Sequence, residues 1–313
     1  MLSRTADSLY WMARYTERAE NTARLLDVTY RMSLQRHAAQ GGYWGAALGI
    51  TGLESAYKAK HGAITAANAL HFMAIDLDNG SSILACLRAA RENCHAVRGT
   101  VTSEVWETLN TTWIEARESV GGLLQGAIQG SELTKYLEWV KFRSHLSRGV
   151  TVGTMLQDEA FHFIRLGTFL ERADNTARLL DVKFDELAPE ETPGDEYYEW
   201  GALLRSVSAF EIYRKVYRDV ITPPRIAELL ILRDAMPRSL HACMREVDQI
   251  LRLVGNDRSH EARRQAGEVY SRLRYGRIEH ILQVGLHDYL TDFLDRTADL
   301  GQRIAQDFLV PMA

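Results

Sequence analysis

The sequence predicts an all-α protein, a helical bundle made of two tandem, pseudo-symmetric multi-helix repeats. Three observations carry that prediction. Apolar residues recur with a 3.6-residue period along most of the chain, and no run alternates apolar and polar residues with β-branched enrichment. All six prolines lie at or after Pro189, so nothing forces a helix break in the first 188 residues. Two distant segments, Glu17–Val28 and Glu171–Val182, are identical at every position but one, Glu20 against Asp174.

The match continues along the chain at a slowly drifting offset, as a duplication with a few added loop residues would give. Met1-Leu2 matches Met155-Leu156, Trp44-Gly45-Ala46 matches Trp200-Gly201-Ala202, and Ile64-Thr65 matches Ile221-Thr222. Ser82-x-x-x-Cys86-x-Arg88 matches Ser239-x-x-x-Cys243-x-Arg245. The expectation is a single domain over 1–313 with internal repeats 1–154 and 155–313.

Each repeat opens with a long helix, roughly 3–38 and 156–187, and a second helix follows at the Trp-Gly pair. A short helix then starts at Thr65 or Thr222; Thr222-Pro223 reads as an N-cap followed by proline at the first helical position. Another starts near Ser81 or Pro237, and one or two long helices close each repeat. In the first half, glycines at Gly41-Gly42, Gly80, Gly99, Gly121-Gly122 and Gly130 are expected to separate helices. The acidic, proline-containing stretch Leu187–Glu196 reads as a solvent loop inside the second repeat.

The repeated helix has two sides. Met12, Thr16, Ala19, Ala23, Leu26 and Tyr30 form one stripe, with Leu166, Leu170, Ala173, Ala177, Leu180 and Phe184 at the matching positions. Large ends and alanines between them mark a closely packed, core-facing crossing. The other side carries Glu17, Asn21 and Arg24, matched by Glu171, Asn175 and Arg178, with Arg18 and Arg172 as sequence neighbours of the glutamates. Glu20→Arg24 and Asp174→Arg178 are favourable i,i+4 pairs of the kind found on exposed helix faces. Two explanations stay open. These residues could tie the long helices to their neighbours through buried pairs, or they could border a cleft. A guanidinium fork beside a side-chain amide binds amide, carboxylate or phosphate groups well.

The strings MLSRTADSLYWMARYTERAENTARLLDV and TMLQDEAFHFIRLGTFLERADNTARLLDVKF resemble the bacterial alpha-E domain family, named for its helices and its Glu-Arg motif. The resemblance extends along essentially the whole chain through DNGSSILACLRAAREN, SEVWETLN, WGALLRSVSAFE and ITPPRIAELL. It places the family's Glu-Arg pair at Glu17-Arg18 and Glu171-Arg172. Proteins of this kind are encoded beside, or fused to, a circularly permuted ATP-grasp ligase, often with a transglutaminase-like protease. The resemblance therefore implies an accessory or substrate-presenting subunit of a system that makes amide or peptide bonds, with an ATP-grasp ligase as partner. An enzyme of amide or aminoacyl transfer using the Glu-Arg motifs, and a purely structural scaffold, are the alternatives. No autonomous catalytic residue can be named.

Composition narrows the partners. The 313 residues are 46% hydrophobic and 25% charged with a net charge of −4, and no Lys/Arg block stands out, which argues against nucleic acid and anionic membrane. No apolar run is long enough to span a bilayer. Three cysteines without a CxxC spacing fit a reducing compartment, so a cytoplasmic protein is expected. Homo-oligomerisation is left open. Glu92-x-x-His95 and Glu159-x-x-His162 could mimic carboxylate-bundle metal ligands. Neither recurs in the other repeat, where Thr5 and Ser8 stand against Glu159 and His162, so no metal or other cofactor is expected. Glu159 and His162 are kept as candidate contacts beside the second motif. Cys86 and Cys243 sit at matching positions and read as small core residues.

Overall fold

A computed structural model describes residues 1–35, 40–125, 130–186 and 193–309. Among them the chain forms helices and no strand. In chain order these are α1 (Ser3–Gln35), α2 (Gln40–Ile50), α3 (Glu54–His61), α4 (Ala66–Ala74) and α5 (Ile83–Ala96). There follow α6 (Ser103–Gln125), α7 (Ser131–Thr154), α8 (Glu159–Glu186), α9 (Pro193–Ser206) and α10 (Phe210–Tyr217). The series closes with α11 (Pro223–Ile231), α12 (Leu240–Leu253), α13 (His260–Arg274), α14 (Ile278–Val284) and α15 (Leu286–Phe308). No described helix is long and apolar enough to cross a membrane.

Several helix starts follow from local chemistry. Thr65 Oγ1 accepts from Asn68 N (3.3 Å), Ser82 Oγ from Ala85 N (3.2 Å) and Ser239 Oγ from Ala242 N (3.0 Å), so α4, α5 and α12 each begin on a side-chain cap. Thr222 occupies the N-cap of α11 with proline directly after it, but its side chain makes no cap bond. Its backbone N–H instead donates to the Tyr213 hydroxyl at 3.1 Å. Thr65 N does the same to Tyr57 at 3.3 Å.

Two sequence expectations need correction. Pro193–Glu196, read as the end of a loop, form the first turn of α9, because proline at the first helical position gives up only a donor that has no partner there. The residues before them, 187–192, lie outside the described residues. Gly121-Gly122 do not end a helix; they lie inside α6, which runs on to Gln125. Gly41-Gly42 likewise fall within α2. Gly130, by contrast, does mark a boundary: it is the N-cap of α7 with φ of 77°. The short helices α3, α10 and α14 have no counterpart in the sequence reading.

The chain divides into two compact units, Met1–Thr168 and Phe169–Ala313, and the division falls within α8. In the first unit α1 packs on α5 and α7, and α6 closes the circuit by packing on α5 and α7, with α2 and α4 set against α1. In the second, α12 packs on α13, α13 on α15 and α15 on α14, while α11 meets α10, α12 and α14. The predicted seam is core: Met12, Thr16, Ala19, Ala23, Leu26 and Tyr30 are buried, as are Leu166, Leu170, Ala173, Ala177 and Leu180. The side chain of Phe184 lies outside the described ones. Close approach is real at Gly167, where an added Cβ would stand 2.3 Å from the Tyr10 carbonyl oxygen. Cys86 and Cys243 are buried, each with its thiol directed at a backbone carbonyl, of Gly80 and Pro237.

Candidate functional site

Helical spacing puts Glu17, Glu20, Asn21 and Arg24 on one side of α1, and α7 runs antiparallel across that side. Residues rising along α1 meet residues falling along α7. Arg148 Nη1 donates to Glu17 Oε2 at 2.9 Å, and Arg148 Nη2 lies 2.5 Å from Glu20 Oε2. Ser144 Oγ donates to the same Glu20 oxygen at 2.8 Å, and Arg24 Nε donates to Glu20 Oε1 at 2.8 Å. One turn further on, Lys141 Nζ donates to Asp27 Oδ2 at 3.0 Å and Arg31 Nε to Asp27 Oδ1 at 2.8 Å. Glu17 is 1% exposed and Glu20 0%. Carboxylates so deeply placed are tolerable only because fixed guanidiniums and a hydroxyl surround them.

This geometry corrects the reading of Glu20–Arg24 as a surface pair. The pair exists, but Glu20 is among the most buried polar residues of the first unit, with α7 supplying Ser144 and Arg148 over it. On the solvent side the exposed ring of His145 stands between Arg148 and Arg24. Ser144, His145 and Arg148 were not expected as site residues. The only trace of them in the sequence is a serine four residues before an arginine on a helix, a spacing too common to single out.

The remaining candidates fall into separate places. Arg18 stacks over Tyr15 (5.7 Å to the ring centroid), and Arg172 stacks over Phe169 (5.4 Å), each three residues upstream on its own helix. Both arginines of the Glu-Arg pairs thus set their guanidinium over an aromatic ring of their own helix. Glu171 and Arg172 are buried, Asn175 is half-buried, and Arg178 reaches back to Asp174 at 2.8 Å in an exposed pair. Asn21 is 5% exposed, on the same side of α1 as Glu17.

At the start of α8, Asp158 Oδ1 accepts from Ala160 N (3.0 Å) and Phe161 N (3.3 Å), so the segment before the second motif serves as a helix cap. Glu159 accepts from the Met1 amino group at 2.8 Å. The His162 ring packs edge-on to Phe161, and its buried Nδ1 has no hydrogen-bond partner among the described residues. Burial, with Arg165 adding to it and Asp158 opposing, holds the imidazole below its ordinary pKa. His95 of the other Glu-x-x-His spacing packs against Trp106, which Arg91 and Arg98 also cover. Among the described residues no group of three or more His, Cys, Asp or Glu side chains is placed to hold a metal.

A cleft of about 290 Å³ in the second unit is lined by Glu228, Arg233, Arg277 and Glu279 among others, and contains none of the sequence-predicted residues.

Comparison with known proteins fits this picture of a helical chain carrying two Glu-Arg pairs. Uncharacterized proteins of Mycobacterium bovis and of two strains of Mycobacterium tuberculosis are each 26% identical over 311 residues. The match takes in 93% of this chain but 35% of each relative, so the chain spans about a third of their length. No solved structure matches. A family model covers residues 1–309, described as "a predicted alpha-helical domain with a conserved ER motif", and the chain belongs to that family, Alpha-E.

Proposed function

We propose that this Alpha-E chain is a non-catalytic helical subunit that binds, or presents substrate to, an ATP-grasp ligase forming amide or peptide bonds. One observation carries the non-catalytic part. Glu17 and Glu20 are buried and already bonded by Arg148, Arg24 and Ser144. Carboxylates so committed are poor bases and poor nucleophiles, because cations on their oxygens stabilise the very charge that chemistry would have to use. A binding role suits the same residues better, since guanidiniums anchored from behind are rigid donors toward whatever meets them in front.

The partner is the resemblance's contribution: an ATP-grasp ligase in a bacterial cytoplasm, with a transglutaminase-like protease in the same pathway. The matching tyrosine brackets, Tyr57 with Thr65 and Tyr213 with Thr222, support an origin by duplication of one helical unit. A second reading, a purely structural scaffold, draws on the same burial of Glu17 and Glu20. Alanine at Arg18 and Arg172 separates the two. On the binding reading the folded double variant loses co-purification with the ligase, or loses ligase product. On the scaffold reading both survive. The partnership itself is tested by co-expressing the chain with the neighbouring ATP-grasp protein and weighing the ATP-dependent product by mass spectrometry. Product that forms equally well without the chain, with no co-purification, sinks the proposal.

A further inference from the structure

The ring of His145 stands between Arg148 and Arg24, with Nδ1 2.7 Å from Arg148 Nη2 and Nε2 3.1 Å from Arg24 Nη2. Guanidinium nitrogens only donate. A neutral imidazole accepts at one nitrogen and donates at the other, and a protonated one accepts at neither. In every protonation state at least one of these contacts therefore sets an N–H against an N–H. The arginines are the fixed members of the trio, because Glu17 and Glu20 hold them from the buried side. His145 is exposed and can turn out to solvent. The ill-fitting group is the movable one.

We propose that Arg24 and Arg148 form a carboxylate-binding site at the solvent end of the α1–α7 seam, in which His145 stands as a displaceable plug. A carboxylate is planar, like the ring, and its two oxygens are spaced much as the two imidazole nitrogens are. It differs in accepting on both sides, so one carboxylate bridging the forks replaces a mismatched contact with two charge-assisted bonds. Both arginines are already paired with buried glutamates, so they are not bare cations. The site therefore selects for a flat pair of acceptors and does not act as a general trap for anions. The carboxylate belongs to a peptide C-terminus or to an acidic side chain, two sources of the same chemistry. The inference rests on the reading of this helix face as a recognition surface. Its test contains no ligase, so its failure would leave the partnership with a ligase standing.

Four probes decide it: acetate, inorganic phosphate, a neutral peptide with a free C-terminus, and a Glu-containing peptide with an amidated C-terminus. They are titrated calorimetrically into the intact chain, His145→Ala, and His145→Ala with Arg24→Gln. Histidine-ring NMR follows the plug in the unmodified protein. Acetate should shift the His145 ring signals, and His145→Ala should bind carboxylates more tightly. The gain is about tenfold if the ring fills the site in about nine molecules of ten, since apparent affinity scales with the open fraction. Arg24→Gln in that background should abolish the gain, and the preferred peptide identifies the source. Nonspecific attraction predicts the opposite sign, because removing His145 removes a potential cation. Equal or weaker binding by His145→Ala overturns the proposal, as does binding untouched by Arg24→Gln, phosphate outcompeting every carboxylate, or no binding to any variant. His145 is a surface residue, so its truncation tests binding without testing the fold.

Discussion

The two motif segments differ at one residue in sequence and yet live in different environments. In α1 the acid of the i,i+4 pair, Glu20, has a side chain 0% exposed, and its Arg24 is 11% exposed. In α8 the corresponding Asp174 and Arg178 are 30% and 44% exposed. What changes is the helix laid across the acid. Over Glu20 it is α7 with Ser144 and Arg148, and over Asp27 it is again α7 with Lys141. The matching Asp181 is met instead by His287 of α15 at 2.7 Å. One string of residues can thus be a buried network or a surface pair, and the partner helix decides which.

The largest expected effect separates those two states. Arg148→Ala removes a guanidinium that bonds both Glu17 and Glu20 while leaving the two acids buried, and removal of one partner from such a network costs about 3–5 kcal/mol. Arg178→Ala in the exposed pair should cost no more than about 1 kcal/mol. Urea denaturation of the two variants measures the contrast. Equal losses would mean that burial around Glu20 adds nothing to the strength of its pairing.

A second contrast concerns register. Ala13 of α1 and Gly167 of α8 occupy matching positions, but only the first keeps a Cβ. At Gly167 a methyl group would meet the Tyr10 carbonyl at 2.3 Å and the Ala13 Cβ at 3.3 Å. Gly167→Ala should therefore cost about 2–3 kcal/mol through overpacking, despite the better helix propensity of alanine. A melting temperature raised by this substitution would show that the crossing has slack.

Exchanging the one differing residue probes the comparison directly. Glu20→Asp withdraws the carboxylate by a methylene from Ser144 and Arg148 and should cost about 1–2 kcal/mol. Asp174→Glu should be neutral within about 0.5 kcal/mol, as expected of a half-exposed position. Chemical denaturation again provides the measurement, and a neutral Glu20→Asp would show that the network tolerates either length.

These contrasts also mark how far the sequence could be read. The stripe through Met12 and Tyr30, the helix starts at Thr65 and Thr222 and near Ser81 and Pro237, and the long opening helices were legible because periodicity and turn chemistry are local. Helices α3, α10 and α14 were not, because each is only about two turns long, too short for a helical period to stand out. Gly121-Gly122 misled because two glycines weaken a helix without obliging it to stop, and α6 continues through them. The candidate site was half legible. Glu17, Asn21 and Arg24 stood out on one helix, while Ser144, His145 and Arg148 come from a helix more than a hundred residues away. No local rule could place Ser144 against Glu20, or show that an apparent surface pair lies beneath another helix.

The smallest effect is expected where the segments diverge upstream, at His162 against Ser8. Burial and Arg165 depress the His162 imidazole below its ordinary value, against the pull of Asp158. The unfolded chain then takes up a proton that the folded chain resists. Stability from the neutral ring is complete above the unfolded pKa of roughly 6.5 and is lost as pH falls through the lower folded value. His162→Ser, which makes the position resemble Ser8, should remove this component. Urea midpoints of the parent and the variant, compared between roughly pH 7 and pH 5, should therefore converge on acidification. A parent that gains on the variant as pH falls would mean that the folded protein stabilises the imidazolium, and that Asp158 outweighs burial and Arg165.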